Sequence, residues 1–192
     1  MLDLSGLRDA IVQGNADAAV QAAQSMLDEG ADPVDIILHG ITPAMSEVGR
    51  LFENGECFVP ELLVAARATK EIFGVLRPLL AQTGAVPRGR VVLGTVQGDL
   101  HDIGKNLVAA MLEGAGFEVT DLGVDVPPER FVAAVRGKQP QLVGLSALLT
   151  STLPAMKSVI EALQAAGIRD SVKIMIGGAP VTKAYADAIG AD

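Results

Sequence analysis

The sequence predicts an α/β protein in two parts: a helical bundle over residues 1–85, then an open, doubly wound parallel sheet over residues 86–192. Three observations predict it. Apolar residues recur at helical spacing up to about residue 80. The segment Ala81–Arg90 then breaks that period with Gly84, Pro87 and Gly89. Beyond it, short apolar runs rich in Val and Ile alternate with amphipathic stretches, the pattern of a parallel sheet covered by helices.

Four helices are expected in the first part. LDLSGLRDAIVQG closes near Gly14. NADAAVQAAQSMLDEG has Asn15 as its N-cap and stops at Gly30. DPVDIILHGITPAMSEVGRLFENG carries Pro33 in its first turn, and Pro43 should bend or divide it. VPELLVAARATKEIFGVLRPLLAQTG starts near Pro60 and places Leu62, Leu63, Ala66, Thr69, Ile72 and Phe73 on one broad face. Short connections between four helices make a small bundle. The second part reads as the strands VVLGTVQ, FEVTDLG, QLVGLSALL and VKIMIGG, each followed by a helix. In such sheets ligands bind at the C-terminal ends of the strands. Three loops rich in small or polar residues fall there: 98–104, 146–152 and 177–182. A sheet of this kind usually has a fifth strand and closing helix, so the domain is expected to be truncated after Asp192.

With 49% apolar residues but 3% aromatics and no Trp, the core must be built from Ala, Val, Leu and Ile. A formal charge of -8 does not suit a general nucleic-acid binder, which needs cations against phosphate. Cys57 is the sole cysteine, which excludes an intrachain disulfide and cannot by itself make a zinc site, and leaves a structural or surface role. The N-terminus lacks a basic region ahead of a long apolar run, and no apolar run reaches membrane-spanning length. A cytoplasmic protein without membrane or nucleic-acid partners is expected.

The chemistry concentrates in GTVQGDLHDIGKNLV, Gly94–Val108, a turn between an apolar strand and a helix that holds one of the chain's two histidines. Asp99, His101 and Asp102 admit several readings. They are ligands of a hard divalent cation, with Asp121 and Asp125 as the only further candidates. Alternatively, His101 is a general base oriented by Asp99. Or His101 gives one ring nitrogen to a metal carried by a cofactor while Asp99 holds the other. A helix-capping aspartate beside a surface histidine is the plainest alternative. Gly94, Gly98 and Gly104 around this turn, and Gly177 and Gly178 after another strand, would let backbone approach a large inserted ligand. No GxGxxG follows the first strand, and no GxxxxGK[ST] is present, so the turn is not a nucleotide fingerprint.

Asp99–Gly104 matches the DxHxxG signature of cobalamin-binding domains, Ser146-Ala147-Leu148 the SxL element that follows it, and Gly177-Gly178 the paired glycine. In the helical part, VGRLFENGECFVPELLVAA, Val48–Ala66, resembles the cap domain of cobalamin-dependent methionine synthase. The whole chain resembles the small corrinoid proteins of methanol, methylamine and aryl-methyl-ether methyltransferase systems.

That resemblance implies a helical cap followed by a flavodoxin/Rossmann-like cobalamin-binding domain. It implies cobalamin or a related corrinoid, cycling between cobalt(I) and methyl-cobalt(III) states. It makes His101 the lower axial metal ligand and Asp99 its hydrogen-bond partner. Thr152 stands where methionine synthase continues the relay with a serine. Ser146, Leu148 and Thr150 would line the pocket for the displaced nucleotide tail, with Gly104, Gly177 and Gly178 leaving it room. Asp102 belongs to the same binding loop. Phe52 and Val59 match cap residues that cover the reactive upper face, Val59 being smaller than the leucine of the family member compared. The implied function is a methyl carrier, a subunit and not a complete enzyme. It would take methyl from a substrate-specific methyltransferase and deliver it through an acceptor methyltransferase to tetrahydrofolate or a thiol. A reductive activase completes the implied partners, and the linker at Gly84, Pro87 and Gly89 is the implied hinge. Two rival readings are a cobalamin-dependent regulator or photosensor and an adenosylcobalamin mutase subunit. The first usually has a tryptophan near the upper ligand and a DNA-binding domain. The second commonly has glycine where this chain has Leu100, and lacks the cap.

Overall fold

The structure is a computed structural model that describes residues 4–83 and 87–192. Contacts divide the chain into two compact units, Met1–Pro87 with Ala110–Phe117, and Arg88–Ala109 with Glu118–Asp192. Gly84, named above as part of a hinge, lies outside the described residues.

The helical unit contains α1 (Ser5–Val12), α2 (Ala16–Asp28), α3 (Pro33–Asp35), α4 (Thr42–Glu53) and α5 (Val59–Thr83). Asn15 caps α2 by accepting the Ala18 N–H at 3.1 Å. Gly14 and Gly30 take the left-handed conformation that ends their helices (φ 69° and 86°). Between α3 and α4 the backbone passes through a π-helical turn, Ile36–Ile41. Pro43 falls in the first turn of α4, directly after that π-helical turn. The wider turn precedes a residue that has no N–H to give. Glu61 accepts the Phe58 N–H at 2.9 Å, half of a capping box that starts α5.

On α5 the buried face is Leu62, Ala65, Ala66, Thr69, Ile72 and Leu76. Leu63, expected on that face, is instead exposed, because one residue further along a helix turns the side chain through a full 100°. Leu7, Ile11, Ile36, Ile41, Met45 and Val48 complete the core, with alanines at Ala19, Ala23, Ala65 and Ala68. Cys57 is buried there, its Sγ 3.7 Å from the Val48 carbonyl oxygen. Among the described residues no helix is long and apolar enough to cross a membrane.

The second unit is a four-stranded parallel sheet of β1 (Arg90–Thr95), β2 (Glu118–Asp121), β3 (Leu142–Ser146) and β4 (Lys173–Gly177), in the order β2-β1-β3-β4. The helices are α6 (Ile103–Gly114), which the division into units cuts after Ala109, α7 (Pro128–Lys138), α8 (Leu153–Ala165) and α9 (Lys183–Ile189). Val92, Val143 and Ile174 on one sheet face pack with Phe131, Val135, Met156, Val159, Ile160, Leu163 and Ile189. Leu93, Gly144 and Met175 share one register across the sheet, and a Cβ on Gly144 would strike Leu93 Cδ2 at 2.1 Å. Cover on both faces, the expectation for this sheet, is incomplete at its edge, where Met175 is exposed.

The chain leaves β1 toward β2 on one side and later crosses to β3 on the other. The switch point of the sheet therefore lies between the C-terminal ends of β1 and β3, where open α/β sheets bind ligands.

Candidate functional site

Register sets the stage of the site. Thr95, Ser146 and Gly177 end their strands on one rung, so the three loops picked out in the sequence rise from the sheet at the same level. Of the buried polar or charged side chains among the described residues, Thr95, Asp99, Lys105 and Thr152 all belong to this unit and Thr69 alone to the other. Buried polar groups are retained where they are paired or needed.

Asp99 is the hub. It is fully buried, and its carboxylate meets five donors. Oδ1 accepts the His101 N–H at 3.0 Å and lies 2.8 Å from His101 Nδ1. Oδ2 accepts the N–H groups of Leu148 at 2.8 Å and Leu149 at 3.2 Å, and the Thr152 hydroxyl at 2.6 Å. Burial by itself would raise the carboxyl's pKa. The bonds from Thr152, His101 and Leu148 outweigh it and hold the group well below the usual carboxylate range. An ionised Asp99 can only accept, so His101 Nδ1 is the donor, and in the neutral imidazole that tautomer leaves the lone pair on Nε2. The His101 side chain is half exposed, so that lone pair belongs to a ring within reach of a ligand.

The rest of the loop is tied down around this pair. Thr95 donates its hydroxyl to the His101 carbonyl at 3.0 Å. Gly98, at φ 85°, gives its N–H to Asp125 Oδ1 at 2.7 Å, and Asp125 returns its own N–H to the Asp99 carbonyl at 3.0 Å. Asp125 itself holds a positive φ of 52°, uncommon outside glycine and tolerated best by Asp and Asn. Asp121 receives Lys105 Nζ at 2.5 Å, and Lys105 also reaches Asn106 Oδ1 at 2.7 Å. Asp121 and Asp125 are thus spoken for, and no group of three or more His, Cys, Asp or Glu among the described residues could hold a metal ion. The hard-cation reading of the acids ends there.

The expected site residues sort as follows. His101, Asp99 and Thr152 form one hydrogen-bonded chain, with Leu148 joined through its backbone. Asp102 stands apart from that chain. Its carbonyl starts α6 by accepting the Asn106 N–H at 2.8 Å, and its carboxylate accepts Asn106 Nδ2 at 3.0 Å. Ser146 passes its carbonyl to the Val96 N–H at 3.0 Å, and Thr150 lies exposed in the same loop. Gly104 and Gly177 face open space. Gly178 has a different reason to be glycine: at φ 142°, a Cβ there would fall 1.7 Å from the Ala147 carbonyl oxygen. Gly94, expected to leave room for a ligand, instead makes room for the Phe131 ring, which a Cβ would meet at 2.6 Å. Phe52 and Val59 lie on the helical unit, both exposed beside the more exposed Phe58.

Sequence reasoning passed over Thr95, Lys105, Leu149 and the clamp made by Asp125. Thr95 had a signal, a lone hydroxyl closing an otherwise apolar strand. Leu149 had none, since it acts through its backbone.

A sequence profile described as the B12 binding domain matches residues 89–192, and a second of the same description matches residues 4–77. The chain is 45% identical over 190 residues to dimethylamine corrinoid protein 1 of Methanosarcina acetivorans, covering 98% of this chain and 89% of that one. It is 45% identical over 187 residues to trimethylamine corrinoid protein 1 of the same organism, covering 96% and 87%. Among solved structures, a cobalamin-binding protein from Desulfitobacterium hafniense aligns with a TM-score of 0.81 at 34% identity, over 100% of this chain and 91% of that one. The methanol:cobalamin methyltransferase complex from Methanosarcina barkeri gives 0.85 at 34% identity, over 96% of this chain and 70% of the matched one.

Proposed function

The chain belongs to the family of B12-binding corrinoid proteins, and from that premise we propose that it is a methyl carrier working between two methyltransferases. The observation that supports this reading is the chain His101–Asp99–Thr152, which commits one imidazole nitrogen and leaves the other free on a half-exposed ring.

The residues present fit a corrinoid. Among the described residues at the strand ends His101 supplies the one imidazole, and Gly104, at the start of α6, and Gly177, at the end of β4, face open space. When bound, the corrinoid supplies a cobalt centre that accepts and releases a methyl group. His101 would hold the cobalt through its Nε2. Asp99 fixes the tautomer and orientation of the ring, as carboxylates behind metal-bound histidines do. Thr152 and the Leu148 and Leu149 N–H groups keep Asp99 ionised and still. Ser146, Leu148, Thr150, Gly104, Gly177 and Gly178 would line the path of the nucleotide tail. Asp102 serves the start of α6.

The relatives named for dimethylamine and trimethylamine make methylated amines the first donors to test. Delivery to tetrahydrofolate or a thiol, dependence on a reductive activase, and a cytoplasmic location belong to the same proposal. The test loads the purified chain with hydroxocobalamin and compares its visible spectrum with that of His101→Ala. A changed spectrum and weaker binding in the variant are expected; an unchanged spectrum and affinity would remove His101 as the ligand. The loaded protein is then reduced by two electrons with a strong chemical reductant such as titanium(III) citrate, and methyl transfer is assayed with candidate methylamine methyltransferases. Failure of the loaded protein to become methylated by any of them would overturn the carrier reading.

A further inference from the structure

Resting on the reading of His101 as the cobalt ligand, we propose that Thr95 is a positioning residue for it, fixing the peptide on one side of the histidine as Asp99 fixes the other. Thr95 is fully buried at the end of β1. Its backbone is already used: its N–H goes to the Gly123 carbonyl and its carbonyl receives the Val126 N–H, both at 3.0 Å. The hydroxyl is therefore the one group of Thr95 left to reach the loop, and it donates to the His101 carbonyl at 3.0 Å.

The consequence is a bracketed ligand. The His101 N–H is held by Asp99 at 3.0 Å, the His101 carbonyl by Thr95 at 3.0 Å, and the ring by Asp99 at 2.8 Å. Both peptide groups flanking the Cα are fixed, so the backbone torsions that aim the ring have little freedom left. Thr95 shares its rung with Ser146 and Gly177, so its hydroxyl also sets the height of His101 above the strand ends. A β-branched residue at this point in a buried strand is ordinarily met by valine, which has the same shape. The hydroxyl is what valine lacks, and burying it is favourable only because it has a partner. Sites whose donor is held in place before the ligand arrives bind without the entropy of ordering it.

The experiment uses the full chain with Thr95→Val and Thr95→Ser, loaded with hydroxocobalamin and reduced by one electron. With the protein carrying 15N-labelled histidine, doublet splitting of the cobalt resonance by 15N reports whether a histidine imidazole, and not the cofactor's own benzimidazole, is bound. Wild type and Thr95→Ser are expected to show it fully. In Thr95→Val the ratio of ligated to unligated cobalt should fall about tenfold, the order of an unsatisfied carbonyl. Melting of the ligand-free protein is followed in parallel, since a merely structural role would lower stability and leave ligation unchanged. Wild-type ligation in Thr95→Val overturns the proposal alone. A wild type without nitrogen splitting overturns the reading of His101 and the proposal with it. Should Thr95→Val fail to fold, Thr95→Cys, compared with Thr95→Ser of the same unbranched shape, offers a weaker donor. It is expected to fall below Thr95→Ser, and full ligation in it would overturn the proposal.

Discussion

The Thr152 hydroxyl lies 2.6 Å from Asp99 Oδ2 across 53 residues of sequence, and so joins the loop after β3 to the loop after β1. These loops flank the switch point of the sheet, and a single carboxylate holds them together. Any ligand bound by His101 therefore meets a β3–α8 loop whose position depends on the same Asp99 that orients the imidazole.

Thr152→Val removes one donor and preserves shape. Asp99 keeps four of its five donors, so the ligand-free protein should lose about 1–2 kcal/mol, the order of a hydrogen bond to a charged acceptor. Thr152→Ser restores the hydroxyl and most of the stability. Urea unfolding of the three proteins measures both; equal midpoints for wild type and Thr152→Val would show that the hydroxyl is idle.

Asp99→Asn replaces an acceptor-only group by an amide with its own N–H groups among five donors. A loss of about 3 kcal/mol is expected at neutral pH, the order for removing a paired buried charge. The loss has a pH signature. Folding lowers the pKa of Asp99, so between the folded and unfolded values the unfolded chain binds more protons than the native one. The carboxylate's stabilisation is complete above its unfolded pKa of about 3.9 and is lost as pH falls toward the folded value. Unfolding of the ligand-free proteins at pH 7 and in steps below pH ~4 should show the wild-type advantage shrinking with acid. An advantage independent of pH would remove the charge as its source.

The sequence made the fold legible because period is a backbone property. The switch from helical spacing to short Val-rich runs, and the order of strands and helices, needed no tertiary information. The hydrogen-bonded chain of His101, Asp99 and Thr152 was legible because side chains form it. The site was opaque where the backbone does. The Leu148 and Leu149 N–H groups converge on Asp99 only after two loops distant in sequence meet. Glycines misled for the same reason. Gly94, Gly104 and Gly178 look alike in a string of letters, yet one yields to Phe131, one faces open space and one avoids a carbonyl.

Lys105 and Asp121 form a pair in which the lysine side chain is buried and the carboxylate half exposed. Lys105→Met keeps the aliphatic stem and removes the buried charge, so stability should stay within about 1 kcal/mol of wild type. Asp121→Asn strands the ammonium beside Asn106 and should be worse, by about 2 kcal/mol, discounted for the exposure of Asp121. Thermal unfolding ranks the two. The reverse order would mean that Asp121 matters chiefly through the bond its Oδ1 accepts from the Gly123 N–H at 2.9 Å.

Gly177 and Gly178 are adjacent but should fail differently. Gly178→Ala demands φ 142° of an L-residue and puts Cβ 1.7 Å from the Ala147 carbonyl oxygen, an atom of the loop that carries Leu148. Backbone must move to accept it, so a loss of about 3 kcal/mol or an insoluble protein is expected. Gly177→Ala meets nothing within 4 Å and keeps an ordinary φ, so its stability should change by no more than about 0.5 kcal/mol. Its effect should appear in binding: the added methyl stands where the proposed tail pocket needs room, and corrinoid affinity should fall at unchanged stability. Equilibrium dialysis of hydroxocobalamin against wild type and Gly177→Ala, with melting curves of both, separates the roles. Undiminished affinity in Gly177→Ala would reduce that glycine to an ordinary strand end and place the tail elsewhere.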